Sequence, residues 1–175
     1  MVNKKAKSRV VAEGRYIRFL KKDGWEYVQR SNCTGIVIIF ALTDDGKVIF
    51  TEQYRPPVGR NVIENAAGLV NDKTKKESLM TAARRELLEE TGYAAKKWVK
   101  VAQGPVSSGL TSDMVHIFLA RGLTKLGLGG GDHMEKITVH EVPLKKVLPW
   151  LKRKQKEGCL VDPKVYAGLY FFSCF

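Results

Sequence analysis

Acidic residues are scarce in this chain. Among its 175 residues stand 18 Asp and Glu against 30 Lys and Arg, a formal net charge of +12. Cysteine is scarce too. Cys33, Cys159 and Cys174 are odd in number and lack metal-ligand spacing, which excludes a disulfide framework and a cysteine zinc site and points to reduced thiols. No apolar run approaches the roughly 20 residues that span a bilayer. The basic start, MVNKKAKSR, is followed by no apolar signal region, so the expectation is a cytoplasmic location away from membranes. There is no internal repeat and no linker rich in Pro or Ser.

What is present is the composition of a soluble globular protein, 44% hydrophobic and 27% charged. The length suits one domain with a real core. The surplus cations fall in short clusters, Lys4-Lys5, Lys21-Lys22, Lys75-Lys76, Lys96-Lys97 and Lys152 to Lys156. They read first as solvated faces and second as a field for a polyanion, either nucleic acid or a phosphorylated small molecule.

The N-terminal third reads as β structure. "RYIRFL" and "WEYVQR" flank the turn "KKDG" and predict a hairpin. "GIVIIFAL" suits a buried strand, and "DDGK" turns it into "VIFTEQYR". "PPVGRNVIENAAG" reads as a loop with an apolar stretch at Val62-Ile63. From Lys76 to Thr91, Leu79, Ala82, Ala83, Leu87 and Leu88 recur at helical spacing, and Gly92 ends the run. "WVKVAQ" and "MVHIFLARGL" read as strands around the polar loop "GPVSSGLTSD". "LGLGGGDHMEK" reads as the most flexible stretch, and "KITVHEVPL" as a further strand. "LKKVLPWLKRKQKEG" and "DPKVYAGLYFF" close the chain as helices. This order predicts a mixed α/β domain and not a doubly wound parallel sheet.

The scarce acids are concentrated where a helix gains nothing from them. Glu86, Glu89 and Glu90 share one face, where like charges lower helix stability. They also lie toward the C-terminal end, where the macrodipole disfavours anions. A divalent cation reverses both penalties, since Mg²⁺ takes one or two carboxylates together with water and substrate phosphate. A solvated Glu-rich helix is the plain alternative.

The residues around this helix carry a resemblance. Glu77, seven intervening residues, and Arg85-Glu86-Leu87-Leu88-Glu89-Glu90-Thr91-Gly92-Tyr93 match the Nudix box without a gap. Eight residues separate Gly68 from Glu77, so "LVNDKTKK" is longer than the family's usual spacer. "WEYVQR", "EQYRPP", "IENAAGL", "SSGLTSD", "EKITVHEVPL" and "VDPKVY" resemble segments of the branch that hydrolyses ADP-ribose and nucleoside diphosphate sugars. The resemblance implies an α/β/α sandwich around a mixed sheet, preceded by an antiparallel β extension. It implies one domain over 1–175, with 1–32 a β hairpin that serves dimerisation and 33–175 the catalytic core. Members of the branch are commonly homodimers that exchange N-terminal strands.

The implied reaction is metal-dependent hydrolysis of a pyrophosphate bond, giving a nucleoside monophosphate and a sugar phosphate, with Mg²⁺ or Mn²⁺ as cofactor. By resemblance, Glu86, Glu90 and the backbone carbonyl of Ala67 hold metal. Glu89 supports the cluster, and Arg85 with Glu77 orients the helix. Glu135 resembles a loop carboxylate that acts as general base or additional metal ligand, with Asp132 and His133 as alternatives for that role. Arg55 resembles the arginine on the diphosphate, and Glu64 a glutamate near the substrate. Trp25, Glu26 and Arg30 match positions that contact base or substrate, partly across a dimer. Ser108 stands where the branch often has proline, and "ENAAG" replaces the usual Pro-Ala-Gly. Both departures open the specificity toward GDP- or UDP-hexoses. A Nudix enzyme of RNA 5′ ends or dinucleoside polyphosphates, and a non-catalytic nucleotide sensor, are the rival readings. Nucleic acid is not expected as a partner.

Overall fold

Gly35–Leu42, read as a buried strand, is the middle of the molecule. Its side chains alternate between two cores. Val37, Ile39 and Ala41 pack with Ala82, Ala83 and Leu87 of a helix on one side. Ile38, Phe40 and Leu42 pack with Trp150, Leu151, Val165 and Phe172 on the other. A strand buried on both faces reads as a continuous apolar run because both cores need it. The computed structural model describes residues 7–73, 76–131 and 136–174.

In chain order the strands are β1 (Arg9–Glu13), β2 (Ile17–Lys22), β3 (Trp25–Arg30), β4 (Gly35–Leu42), β5 (Lys47–Arg55), β6 (Arg60–Glu64) and β7 (Ala66–Val70). Helix α1 (Leu79–Thr91) follows, then β8 (Tyr93–Pro105), β9 (Met114–Lys125), β10 (Ile137–Pro143), α2 (Val147–Lys156), β11 (Leu160–Val161) and α3 (Lys164–Cys174). The larger sheet runs β11-β6-β5-β4-β9-β8, with β10 added on β5 and β7 on β4. The pairs β4–β9 and β6–β11 are parallel, and the other pairs are antiparallel. With α1 on one face and α2 and α3 on the other, the fold is the expected α/β/α sandwich around a mixed sheet.

The N-terminal β extension is a separate antiparallel sheet of three strands, in the order β1-β2-β3. The predicted hairpin is β2–β3, closed by Asp23 at φ 50° and Gly24 at φ 85°, the left-handed pair of a tight hairpin turn. The preceding strand β1 adds a third member that the sequence pattern does not announce. All five of its residues are exposed, so no alternation marks it.

Two other expectations are corrected. "PPVGRNVIENAAG" is mostly strand. Only Pro56–Val58 forms a short 3-10 turn, while β6 pairs with β5 and the start of β7 pairs with β4. These pairings come from distant neighbours, which local propensity does not see. Helix α1 begins at Leu79, not Lys76. Ser78 caps it by accepting the Thr81 N–H, and Lys76 stands in left-handed backbone at φ 66°.

Candidate active site

The acid-bearing helix lies against β7, and the absence of a side chain at Gly68 makes their approach possible. A Cβ at Gly68 would overlap the Glu86 carboxyl group. Glu86 and Glu90 are accordingly buried, at 7% and 4% exposure. Burial pushes the Glu86 carboxyl up to about 7, and the Arg85 guanidinium, 2.6 Å away, opposes that rise.

Glu90 accepts the backbone N–H of Ala67 at 3.1 Å. Ala67 stands opposite Ile38 on β4, yet it spends its N–H on Glu90. It therefore occupies a wide, non-hydrogen-bonded pair, in which a residue's N–H and C=O both point away from the partner strand. Leu69, two residues on, behaves alike, because its carbonyl accepts from Arg85 at 3.0 Å. The Ala67 carbonyl thus opens on the edge where Glu90 lies.

Arg85 organises the acids. Its Nε and one terminal nitrogen form a fork on Glu77 at 2.9 and 3.1 Å. The other terminal nitrogen reaches Glu86 at 2.6 Å and Glu89 at 3.3 Å. Asp72 stands 3.5 Å away. Hydrogen bonding to Arg85 holds the Glu77 carboxyl below its usual range. Glu89 is the most open of the acids and also takes Lys73 at 3.0 Å.

The long spacer between Gly68 and Glu77 is closed by Asn71, a residue that sequence reasoning missed. Asn71 has φ 66°, accepts the Glu77 N–H at 2.6 Å and donates to Thr34 at 2.6 Å. Asn tolerates left-handed backbone and bonds its neighbours' amides, which is the signal that could have found it.

A cleft of about 270 Å³ opens beside this edge, lined by Arg30, Ile36, Arg55, Ala67, Gly68, Leu69 and Glu90. It brings together four residues predicted separately, Arg30, Arg55, Ala67 and Glu90. Arg55 donates to Glu64 at 2.8 Å, so Glu64 holds that arginine. Arg30 comes from the small sheet. It is delivered by the loop after β8, where Val28 N–H donates to Leu110 O at 2.8 Å and Ser112 N–H to Val28 O at 3.3 Å. Trp25 and Glu26 are not brought to the cleft of their own chain. Trp25 is 65% exposed at the hairpin end, and Glu26 accepts from Lys21 at 3.2 Å. Glu135, Asp132 and His133 lie outside the described residues.

Among the described residues no three His, Cys, Asp or Glu side chains converge on a metal-sized position. The donors at the cleft are nevertheless of the right kind for a hard cation. They are the buried Glu90 carboxylate and the Ala67 backbone carbonyl, with the buried Glu86 carboxylate against Gly68 beside them, and Mg²⁺ requires only one or two carboxylates beside water and phosphate. A cation would further offset the burial that pushes the Glu86 carboxyl up, which Arg85 opposes only in part.

Residues 34–160 match the model of the NUDIX domain. The ADP-ribose pyrophosphatase of Bacillus subtilis (strain 168) is 38% identical over 122 residues, which cover 69% of this chain and 64% of that protein. A GDP-mannose pyrophosphatase of Pectobacterium atrosepticum is 32% identical over 138 residues, covering 74% of this chain and 67% of that protein. The chain therefore spans about two thirds of the length of these curated relatives. A crystal structure of an ADP compounds hydrolase superposes with a TM-score of 0.72 at 21% identity, over 97% of this chain and 93% of that one, which confirms the fold. With a glycine that makes room for Glu86 under the acid-bearing helix and a family model matching most of the chain, this protein belongs to the NUDIX domain family.

Proposed function

We propose that the protein is a divalent-metal-dependent pyrophosphatase of nucleoside diphosphate sugars, producing a nucleoside monophosphate and a sugar phosphate. The observation that carries this reading is the cleft, where two arginines face a carboxylate-and-carbonyl edge. A cation-only groove would suit any anion, and an acid-only groove would repel one. The combination suits a diphosphate bridged to metal. ADP-ribose and GDP-mannose pyrophosphatases among the relatives support the substrate class.

Glu86, Glu90 and the Ala67 carbonyl would hold Mg²⁺ or Mn²⁺. When bound, the metal neutralises phosphate oxygens and makes bound water more acidic. Arg55 and Arg30 bind the diphosphate by charge-assisted hydrogen bonds, and Glu64 orients Arg55. Arg85 keeps Glu86 and Glu89 from repelling one another before a cation binds. Water's oxygen bonds to one phosphorus, and the bridging oxygen leaves with the other phosphate. Glu135 is the candidate acceptor of the water's proton. The flanking residues support that role: Gly131 N–H donates to Glu89 O at 3.1 Å at the acid-bearing end of α1, and Ile137 N–H donates to Gly130 O at 3.2 Å.

Residues 1–32 serve as the dimerisation element of a homodimer and 33–175 as the catalytic core. Val10, Val11, Tyr16, Ile17 and Trp25 leave the small sheet with exposed apolar side chains that a second copy would cover. Trp25 and Glu26 then serve the cleft of the other protomer. A cytoplasmic location fits a nucleotide-sugar substrate, and among the described residues no helix is long and apolar enough to cross a membrane.

The test is a substrate panel of ADP-ribose, GDP-mannose, UDP-glucose, a dinucleoside polyphosphate and capped RNA, assayed with Mg²⁺, with Mn²⁺ and with chelator. Release of nucleoside monophosphate from the sugar nucleotides, abolished by chelator and lowered at least about a hundredfold in Glu90→Gln, is the expected result. Hydrolysis confined to capped RNA or dinucleoside polyphosphates moves the protein to the rival substrate class. No hydrolysis at all makes it a sensor.

A further inference from the structure

The glycine-rich stretch after β9 is not a free tether. Gly130 N–H donates to Glu90 O at 2.9 Å and Gly131 N–H to Glu89 O at 3.1 Å. Leu126 and Gly127 N–H both donate to Gly92 O, at 2.8 and 3.2 Å. The last carbonyls of a helix have no partner within it. Here the two carbonyls that belong to Glu89 and Glu90 are satisfied by the glycine tract.

The contact is made by backbone on backbone. A Cβ on Gly92 would run into Gly127 O, and a Cβ on Gly129 would stand 2.7 Å from Gly92 N and 2.6 Å from Glu90 O. Both glycines are also left-handed, at φ 74° and 71°. No other residue type allows this crossing. The far side of the tract is tied to the sheet, because Ile137 N–H donates to Gly130 O and Ile137 pairs with Gln53 on β5. The turn of α1 that carries two acids is thus linked through Gly130 to the central sheet. Donor groups also meet the negative end of the helix dipole where it faces those acids.

We propose that Gly129, Gly130 and Gly131 are positioning residues of the metal site, a backbone clamp that fixes the Glu89–Glu90 turn relative to Ala67. The proposal rests on the metal-dependent reading above. The clamp acts through the helix end and touches neither metal nor substrate.

The experiment is Mn²⁺ titration by calorimetry on metal-free wild type and on Gly129→Ala, Gly130→Ala and Gly46→Ala, each confirmed folded by circular dichroism. Gly46 is the strain control. It is left-handed at φ 79°, and a methyl group there would meet nothing within 4 Å, so alanine strains the backbone without touching α1. Gly130, at φ 112° with its nearest contact at 3.9 Å, is the milder clamp variant should Gly129→Ala not fold. The expected result is Mn²⁺ affinity about tenfold weaker or worse in Gly129→Ala, about threefold weaker in Gly130→Ala and unchanged in Gly46→Ala. Affinity within about twofold of wild type in every foldable clamp variant, or an equal loss in Gly46→Ala, overturns the clamp. Amide exchange by NMR reads the clamp without metal: Gly130 and Gly131 should be protected in the wild type and unprotected in the clamp variants. Unprotected amides in the wild type overturn the clamp. Wild type that binds no Mn²⁺ but protects those amides overturns instead the metal-dependent reading on which the site assignment rests.

Discussion

The Arg30 guanidinium stands 3.4 Å from the Asp113 carboxylate, which also accepts the Arg30 backbone N–H at 3.4 Å. One residue of the loop after β8 therefore holds both the main chain and the side chain of a cleft arginine. The small sheet contributes to the cleft through this joint. Asp113→Ala should leave the larger sheet intact and let Arg30 wander. The expected outcome is a KM for ADP-ribose raised about fivefold, near 1 kcal/mol, with kcat changed less than twofold. Steady-state kinetics decide it, and an unaltered KM would mean that β3 alone places Arg30.

Gly68 has a more severe requirement. Its missing side chain is the space that Glu86 occupies. Gly68→Ala forces either the carboxylate or the helix to move, and displacement of a catalytic constellation by about 1 Å costs on the order of a hundredfold in rate. We expect kcat/KM to fall by about that factor while the circular dichroism spectrum is retained. A loss under threefold would show that Glu86 can work from elsewhere.

Helix α1 was legible because two local signals agreed. Apolar residues recurred at its period, and Gly92 marked its end. The acids at Glu86 and Glu90 were legible because their placement opposes the helix's own interest. The cleft was legible only through resemblance, since Arg30, Arg55 and Ala67 come from three strands. Strand β1 carries no signal because every residue in it is exposed. Strands β6 and β7 are decided by their partners β5 and β4, so a composition rich in Pro, Gly and Asn at that point read as loop. The glycine tract misled for a related reason. Its order comes from backbone amides meeting helix carbonyls, and no side chain records such bonds in the sequence.

Arg85 cannot be exchanged for lysine at small cost. Its fork meets both oxygens of Glu77, whose side chain is only 4% exposed. An ammonium group cannot reproduce two parallel bonds while also reaching Glu86 and Leu69 O. Arg85→Lys leaves a buried carboxylate poorly paired, a loss of about 3 kcal/mol. For a chain of this size that lowers Tm by roughly 6–12 °C. Scanning calorimetry of the metal-free protein is the measurement, and a shift under about 2 °C would show that lysine suffices.

A second ionic cluster, between the sheet and α2, contributes to the protein's response to acid. Glu52 accepts from Lys154 at 2.9 Å, from Asn61 at 2.9 Å and has His140 at 2.8 Å. Burial alone raises its carboxyl, yet the hydrogen bonds from Lys154, Asn61 and His140 outweigh it and bring the group down from 4.5 to about 2. The folded value lies below the unfolded one, so the unfolded chain binds the proton more readily. The stabilisation is present above pH 4.5 and is lost as the pH falls toward 2. The full difference corresponds to roughly 3 kcal/mol. Urea unfolding at pH 5, 4 and 3 should show wild type losing stability faster than Glu52→Gln, whose amide has no such proton to take up. The variant starts weaker at pH 5, because the charge-assisted bonds to Lys154 are gone, and the two curves converge in acid. Parallel curves across that window would place the acid sensitivity in other carboxylates.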